Sequence, residues 1–429
     1  MSTPAETPKP EVRSRDILQR TESPLVRPKV NQFVLLLLFA LTLFGGIGFV
    51  LRLFQSAPLI YLAMLLVAAV LTIPALVFLW YLDRREREPL WLLLTALLWG
   101  AVISLGLSVL MTSEMTLTQS IWNQTYLSPP PNPQGGLTVD LLYDLLQRVV
   151  PFLGGFLLTG AIAQEVIKGL GLLLLAWLMR SEFNGVRDGI IYGGLIGLGF
   201  NLTEAALHAT DYFLQFGLPG AISQFITSFT LLGFTRHFLF TALTGAGLGL
   251  AVRTGDRWRQ VIYALAGLFL AILANATNGV LGLVVVGLAD LSLRSLPANT
   301  DMVQVSAGMA WVSNLIKDIV LLSPYMALLL IGIAQSDQWE RHILQQELAD
   351  ENSSLITAAE YRQVGQEGAL GVRSIPGLPK DLSNAIVDAQ NKLAFRKYEV
   401  KSQGGNPETD AVVQAWRDRI TYLRNSLNQ

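Results

Sequence analysis

Long apolar runs constrain this chain more than any other feature. They lie at about 33–54, 59–82, 90–111, 150–179, 189–208, 226–252, 261–288 and 308–334. A transmembrane helix needs roughly 20 consecutive apolar residues, so each run predicts one crossing of a bilayer. Hydrophobic residues make up 52% of the chain and charged residues only 15%, against about 25% charged in a soluble domain. The sequence therefore predicts an all-α, polytopic membrane helix bundle of about eight transmembrane helices.

Polar segments flank the apolar region on both sides. Residues 1–31 contain several prolines and mixed charges, which is typical of a disordered tail. Residues 335–429 carry apolar residues at helical spacing and predict a helical tail. We interpret that tail as a regulatory or stabilising appendage, because nothing in it resembles a catalytic motif. The sequence thus divides into a cytoplasmic tail at 1–31, a transmembrane domain at 32–334 and a cytoplasmic helical tail at 335–429.

Basic residues predict the orientation of the spans. Six lie within residues 1–31, and more lie in the loops between spans two and three, four and five, and six and seven, whereas the alternate loops hold few. Cytoplasmic loops carry the excess of lysine and arginine, so both termini are expected in the cytoplasm. The absence of cysteine excludes disulfides and thiol catalysis. A net charge of −1 gives no indication of a nucleic-acid partner.

Polar side chains interrupt four successive spans. They are Glu165 and Lys168 in span four, Glu204 in span five, His237 in span six, and Asn275 and Asn278 in span seven. A charge near the centre of a membrane helix costs roughly 3 kcal/mol on insertion scales, so such residues are candidates for a functional site. Glycines at close spacing in spans five and six predict close helix packing around them. The comparable depth of these side chains predicts one polar site inside the bilayer.

Two further groups of ionisable residues lie in the spans. His208 and Arg236 accompany the candidate site, and Lys317 and Asp318 lie in span eight. We interpret Lys317 and Asp318 as residues that stabilise helix packing, because adjacent helical residues point in different directions and no motif surrounds them.

The candidate residues suit hydrolysis. Glu165 is expected to deprotonate a water as general base, with Lys168 holding the carboxylate ionised and His237 or an asparagine stabilising the oxyanion. The competing interpretation is a metal site, with Glu165, Glu204, His208 and His237 as ligands. The chain has only three histidines and no HExxH sequence, so a dedicated zinc site has weak support. We expect no cofactor.

Several motifs resemble those of the PrsW family of intramembrane proteases, which is related to CAAX prenyl endopeptidases and bacteriocin-processing proteins. YLDRREREP at 81–89 is similar to the family's charged element ahead of a span, and QEVIK at 164–168 resembles EExxK. DGIIYGGLIGLGFNLTE at 188–204 closely follows DGxxYGxxxGxGFxxxE. The pair at 236–237, with its glycine-rich continuation, is similar to the third motif, and ANATN at 274–278 occupies the place of HxxxN.

This resemblance covers about residues 82–334 and implies a peptidase of the bacterial plasma membrane. Its expected partners are the lipid bilayer and membrane-anchored protein substrates, and its expected chemistry is hydrolysis by activated water. By position, the site residues are Glu165, Glu204 and His237 as catalytic groups, with Gln164, Lys168, Arg236, Asn275 and Asn278 in support.

Departures from the family pattern motivate a second hypothesis. Gln164 stands where the first glutamate of EExxK is expected, and Ala274 stands where the histidine of HxxxN is expected. Glutamine cannot act as a base, so the chain is alternatively an inactive scaffold that grips a transmembrane segment. A third hypothesis is a transporter with glutamates as proton carriers, but no inverted repeat supports it.

Overall fold

The computed structural model describes residues 14, 17–18, 32–55, 57–83, 88–111, 160–179, 183–229, 236–294, 302–364 and 374–426. These ranges contain helices and no strand, which confirms the all-α prediction. The helices are α1 Gln32–Gln55, α2 Pro58–Leu82, α3 Leu90–Met111, α4 Gly160–Leu178, α5 Val186–Ser228, α6 Arg236–Arg253, α7 Arg257–Arg294, α8 Met302–Leu348, α9 Ala358–Val364, α10 Lys380–Ser402 and α11 Ala411–Asn425.

Seven of the described helices are long and apolar enough to cross a membrane, namely α1 to α5, α7 and α8. This confirms the polytopic membrane bundle. The helix within the predicted sixth span, α6, is not among the seven. It begins and ends with an arginine and contains several threonines and glycines, so it is less apolar. Most of its side chains are buried against the other helices, because α6 runs through the centre of the bundle and packs on protein.

A sharp break divides α5 at Gly217. Its φ of 67° is one that glycine adopts readily and other residues do not, and Pro219 follows it with no backbone N–H to donate. Beyond the break, Ala221 and Phe225 join the same buried cluster as Ala209. The chain therefore turns back along α5, which returns the start of α6 to the level of Glu204. The sequence predicts no such break, and the predicted sixth span begins at about 226.

Glycines set the contact between α5 and α6. A Cβ built on Gly189 would lie 2.0 Å from the carbonyl oxygen of Gly245, and one built on Gly197 would lie 2.1 Å from that of His237. Both obstacles are backbone atoms, so no side chain can move aside. The two helix axes can approach this closely only because these positions lack a side chain.

We expect Gly189→Ala to destabilise the protein by about 3 kcal/mol, the upper end of the usual overpacking range, because backbone must separate from backbone. Gly46→Ala is the matched control, since a Cβ at Gly46 meets nothing within 4 Å. The measurement is the thermal midpoint of each purified variant in detergent. Equal midpoints for the two variants would contradict the close packing of α5 on α6.

The end of α8 and the helices α9 to α11 form a second core, called here the C-terminal unit. Its buried side chains include Leu344, Leu348, Ile386, Leu393, Val413 and Ile420. Leu18 packs into the same core, and the Ser14 hydroxyl donates to Asp418 at 2.6 Å. Of the tail predicted at 1–31, only residues 14, 17 and 18 are described, so the rest of that prediction lies outside the described residues, as does the predicted loop at 112–146.

Ion pairs join the C-terminal unit to one end of the bundle. Arg187 at the start of α5 contacts Asp337 at 3.2 Å and Glu340 at 3.4 Å. Arg253 at the end of α6 donates to Ser336 at 2.6 Å, and its guanidinium lies 3.6 Å from the ring centre of Trp339. The helix α8 therefore connects the C-terminal unit to both central helices of the bundle.

Carboxylates inside the C-terminal unit are held by basic side chains. Lys397 and Arg417 contact Glu351 at 2.6 and 2.7 Å, and Arg424 contacts Glu360 at 2.6 Å. Burial alone would raise the pKa of Glu351, but hydrogen bonds from Arg417 and Lys397 outweigh it and lower that pKa. The pKa of Glu360 is lowered in the same way, with burial outweighed by hydrogen bonds led by that of Arg424.

These shifts predict that the C-terminal unit loses stability in acid. The folded-state pKa values lie below the ordinary value of 4.5, so the unfolded state binds more protons as the pH falls. The stabilisation is present above about pH 4.5 and is lost as the pH falls through the lowered values. Hydrogen–deuterium exchange of peptides from the unit, in the full chain and corrected for intrinsic rates, should show faster opening at about pH 3 than at about pH 7. Replacing both Glu351 and Glu360 with glutamine should flatten this dependence, and an equally steep one in that variant would contradict it.

Candidate functional site

Glu165 lies at the centre of a buried network of hydrogen bonds. A π-helical turn over residues 160–163 precedes it, and such turns often redirect side chains at functional sites. Its Oε1 accepts from Lys168 Nζ at 2.5 Å and from Asn275 Nδ2 at 2.9 Å, and its Oε2 accepts from Thr241 Oγ1 at 3.4 Å. The side chains of Glu165 and Lys168 are both 0% exposed. Three helices thus hold one ionised carboxylate inside the bundle.

Lys168 extends the network to His237 and Glu204. Its Nζ lies 3.0 Å from His237 Nδ1, and His237 Nε2 lies 2.8 Å from Glu204 Oε2. A protonated lysine has donors and no acceptor, so Nδ1 is the accepting nitrogen. The ring proton is then on Nε2, which donates to the Glu204 carboxylate. The order of contacts is Glu165, Lys168, His237, Glu204.

Exposure separates the two ends of this network. Glu165 is sealed, whereas the side chains of His237 and Glu204 are 13% and 20% exposed. Phe200 and Phe240 lie edge-on to the imidazole, with ring centres 4.8 and 5.7 Å away. Apolar rings beside a hydrogen bond lower the local dielectric and strengthen that bond. Glu204 with His237 is therefore the more exposed end of the network.

The structure brings together five of the eight predicted site residues in this network, namely Glu165, Lys168, Glu204, His237 and Asn275. Arg236 immediately precedes His237 on α6 and pairs with Asp318. Asn278, one turn after Asn275, has a buried Oδ1 without a hydrogen-bond partner in the described part of the chain. Gln164 is half-buried, and its side chain makes no hydrogen bond among the described residues. Ala274 is 1% exposed.

Two contacts of the site, those of Thr241 and Asp318, were not predicted from the sequence. Thr241 lies one turn after His237, and that spacing is the signal that places it on the same face of α6. Asp318 of α8 forms an ion pair with Arg236, with 3.7 Å between Arg236 Nε and Asp318 Oδ1. No sequence pattern connects residues so far apart. The side chain of Lys317 lies outside the described part of the chain, so its predicted role in helix packing stays a prediction.

Residues 88–289 match the model of a family described as the PrsW family of intramembrane metalloproteases. This part of the chain, called here the PrsW-family region, is similar to that family. Comparison with curated proteins and with solved structures gave no match. The PrsW-family region runs from the start of α3 into α7, so it contains the whole Glu165–Glu204 network. The helix α8 and the C-terminal unit lie outside it.

The described residues do not fit the metal that the family's description implies. Catalytic zinc takes three protein ligands, and in the described ranges no group of three or more histidine, aspartate or glutamate side chains could hold a metal. The oxygens of Glu165 accept hydrogen bonds from Lys168, Asn275 and Thr241. The ammonium of Lys168 lies 3.0 Å from His237 Nδ1 and would repel a second cation at that ring nitrogen. This donor set is suited to water activation by side chains.

Proposed function

We propose that the protein is an intramembrane peptidase in which Glu204 activates the attacking water. The observation that supports this proposal is the relay of Glu165, Lys168 and His237 that ends on a partly exposed Glu204. From sequence, Glu165 is the expected base. Its complete burial and its three hydrogen bonds favour a different role, in which it fixes Lys168 and, through it, the imidazole.

Peptide hydrolysis proceeds in two steps at this site. Glu204 takes a proton from water while the water oxygen bonds to the carbonyl carbon of the scissile peptide. The C–N bond then breaks, and the protonated Glu204 returns the proton to the departing amine. His237 donates through Nε2 to Glu204 Oε2 and orients that carboxylate. Glu204 Oε1, which makes no hydrogen bond to other described residues, is the oxygen that receives the proton.

The depth of the site indicates the substrate class. Glu204 follows Arg187 by 17 positions on the straight part of α5, which corresponds to roughly 25 Å of a hydrocarbon core about 30 Å thick. Arg187 lies at the end that carries the C-terminal unit. With that unit in the cytoplasm of a bacterium, as the basic residues and the resemblance predict, the site lies in the outer half of the plasma membrane. A peptide bond at that depth belongs to a membrane-anchored protein.

The second candidate function is a scaffold that binds a transmembrane segment without cutting it. Gln164 and Ala274, at positions where the family pattern has a glutamate and a histidine, favour it. The side chain of the half-buried Gln164 has no hydrogen bond in the described part of the chain. The contacts from Glu165 through Lys168 and His237 to Glu204 are therefore complete without a glutamate at position 164, which favours the peptidase.

A comparison of membrane-protein ends distinguishes the two functions. Cells that carry the wild type and cells that carry Glu204→Gln at matched abundance are compared by mass spectrometry of protein termini. Ends found only with the wild type, in or beside transmembrane segments, are the expected result and identify the substrates. Identical sets of ends, with the variant folded, would overturn the peptidase and leave the scaffold.

A further inference from the structure

The face of α5 that carries Glu204 is polar where it reaches the surface of the bundle. Between Thr203 and Thr210 every residue is buried except Glu204, which is half-buried, and His208, which is exposed. These two lie one helical turn apart and therefore on one face. Ionisable side chains within a membrane span almost always face the bundle interior or a water-filled cavity. Because His208 is exposed, it does not face the interior, so this face of α5 lies against water.

The same face stays polar up to the break in α5. Asp211 and Gln215 continue the spacing of three and four residues that keeps side chains on one face. Asp211 accepts a hydrogen bond at 2.6 Å from Arg52, near the end of α1, and its side chain is still 31% exposed. Gln215 is exposed and lies roughly 16 Å along the helix from Glu204. A continuous polar face therefore leads from Glu204 away from the C-terminal unit.

The returning part of α5 carries a second polar face. Gln224 and Thr227 lie three positions apart, both are half-buried, and Thr227 Oγ1 donates to the backbone carbonyl of Gln224 at 2.9 Å. Arg236, the first residue of α6, donates to the backbone carbonyl of Thr227. The next residue, His237, lies 2.8 Å from Glu204 Oε2. The polar faces of the two parts of α5 therefore converge at the start of α6, beside Glu204.

We propose that these two faces line the path by which water reaches Glu204, and that water enters from the side of the membrane opposite the C-terminal unit. This inference rests on the proposed peptidase, which consumes one water for each peptide bond. Glu204 lies roughly 25 Å along α5 from Arg187, so only about 5 Å of a hydrocarbon core about 30 Å thick remains on the far side. His208, about 6 Å further on, spans that distance. The route from the other side is blocked by Glu165 and Lys168, whose side chains are 0% exposed.

His208 lines this path and takes no part in the chemistry. A polar side chain that is no larger, such as the asparagine of His208→Asn, therefore keeps the path open. A bulky charged group attached at position 208 should close it.

The chain contains no cysteine, so single cysteines can test the path directly. Methanethiosulfonate reagents react with the thiolate, which forms in water and not in hydrocarbon. A charged, membrane-impermeant reagent is added to sealed vesicles that contain the full chain, and the exposed Gln403→Cys in the C-terminal unit reports which side the reagent reaches. His208→Cys and Gln224→Cys should react from the side opposite this marker.

Ile226→Cys is the matched control for labelling. Ile226 is 42% exposed and lies two positions after Gln224, on the opposite, apolar face of the returning part of α5. It should react at least about 10-fold more slowly than His208→Cys, because a thiol against lipid stays protonated. Equal rates for these two variants, or labelling of His208→Cys only from the side of the C-terminal unit, would overturn the inference.

Hydrolysis by the labelled proteins in lipid nanodiscs tests whether the path supplies the site. The substrate is a peptide that spans a cleavage site found in the cell experiment. A sulfonatoethyl adduct on His208→Cys should lower kcat about 100-fold with little change in KM, since a general base without water loses its contribution. The same adduct on Ile226→Cys should leave kcat unchanged, as should a small thiomethyl adduct on His208→Cys. Unchanged kcat in fully labelled His208→Cys would overturn the path.

The labelling readout does not depend on activity, so this inference and the proposed function can fail separately. Fast labelling of His208→Cys from the expected side, together with identical sets of protein ends in the cell comparison, would keep the path and remove the peptidase. Cleavage that requires Glu204, together with equal labelling of His208→Cys and Ile226→Cys, would keep the peptidase and overturn the path. Should His208→Cys fail to fold, the comparison of Gln224→Cys with Ile226→Cys decides in the same way.

Discussion

Glu204→Gln is expected to lower peptide hydrolysis about 1,000-fold, within the usual contribution of a general base. Glutamine keeps the size of the side chain and can still contact His237 Nε2 through its amide oxygen, but it cannot accept a proton from water. The change therefore removes the proposed proton acceptor and leaves the packing in place. Hydrolysis of a transmembrane substrate peptide in lipid nanodiscs measures the effect on kcat.

His208→Asn is the matched control for this substitution. His208 is exposed and lies one turn after Glu204 on α5, so the variant should retain the wild-type rate. The control also tests the metal alternative, since His208 is among the ligands that the sequence suggests. Retained hydrolysis in Glu204→Gln, with hydrolysis lost in a folded Glu165→Gln, would return the role of base to Glu165.

Lys168→Met is expected to destabilise the fold by about 3–5 kcal/mol, because it leaves the carboxylate of Glu165 buried without its cation. Both side chains are 0% exposed and 2.5 Å apart. Adding Glu165→Gln to Lys168→Met removes the uncompensated charge. The double variant should therefore recover most of the stability that Lys168→Met loses. The measurement is reversible unfolding by denaturant in mixed micelles, with the bundle followed by tryptophan fluorescence.

An exposed ion pair supplies the comparison for Lys168→Met. Arg259 and Asp256 lie 3.6 Å apart with side chains more than half exposed, and breaking such a pair costs about 0–1 kcal/mol. Arg259→Met should therefore leave the unfolding midpoint almost unchanged. A similarly small effect of Lys168→Met would show that water reaches Glu165, and it would weaken the assignment of Glu204 as the accessible carboxylate.

The location of the site could be predicted from sequence because charge inside an apolar helix has a high energetic cost. Glu165, Glu204 and His237 stand out against the apolar runs that contain them, and the structure places all three in one network. The order of that network could not be predicted. Whether Lys168 contacts His237 depends on the rotation of two helices about their axes, and the sequence of either helix does not encode this rotation.

The structure also changes how the two glutamates are interpreted. The sequence predicts similar depths for Glu165 and Glu204 and favours Glu165 as the base, whereas their surroundings in the structure favour Glu204. Asn275 and Thr241 hydrogen-bond Glu165 inside the bundle, whereas Glu204 remains partly exposed. Burial is a property of the packed helices, so the choice of base requires the tertiary structure.

The sequence by itself determined the membrane environment, the helical class and the residues of the polar site, because the hydrophobic effect and the cost of buried charge act on each apolar segment separately. Only the tertiary structure decided how α5 turns back at Gly217, which of the two carboxylates is buried, and that Asp318 contacts Arg236. Each of these depends on contacts between residues distant in the chain. Such contacts arise when helices pack against one another, and local patterns of polarity do not specify them.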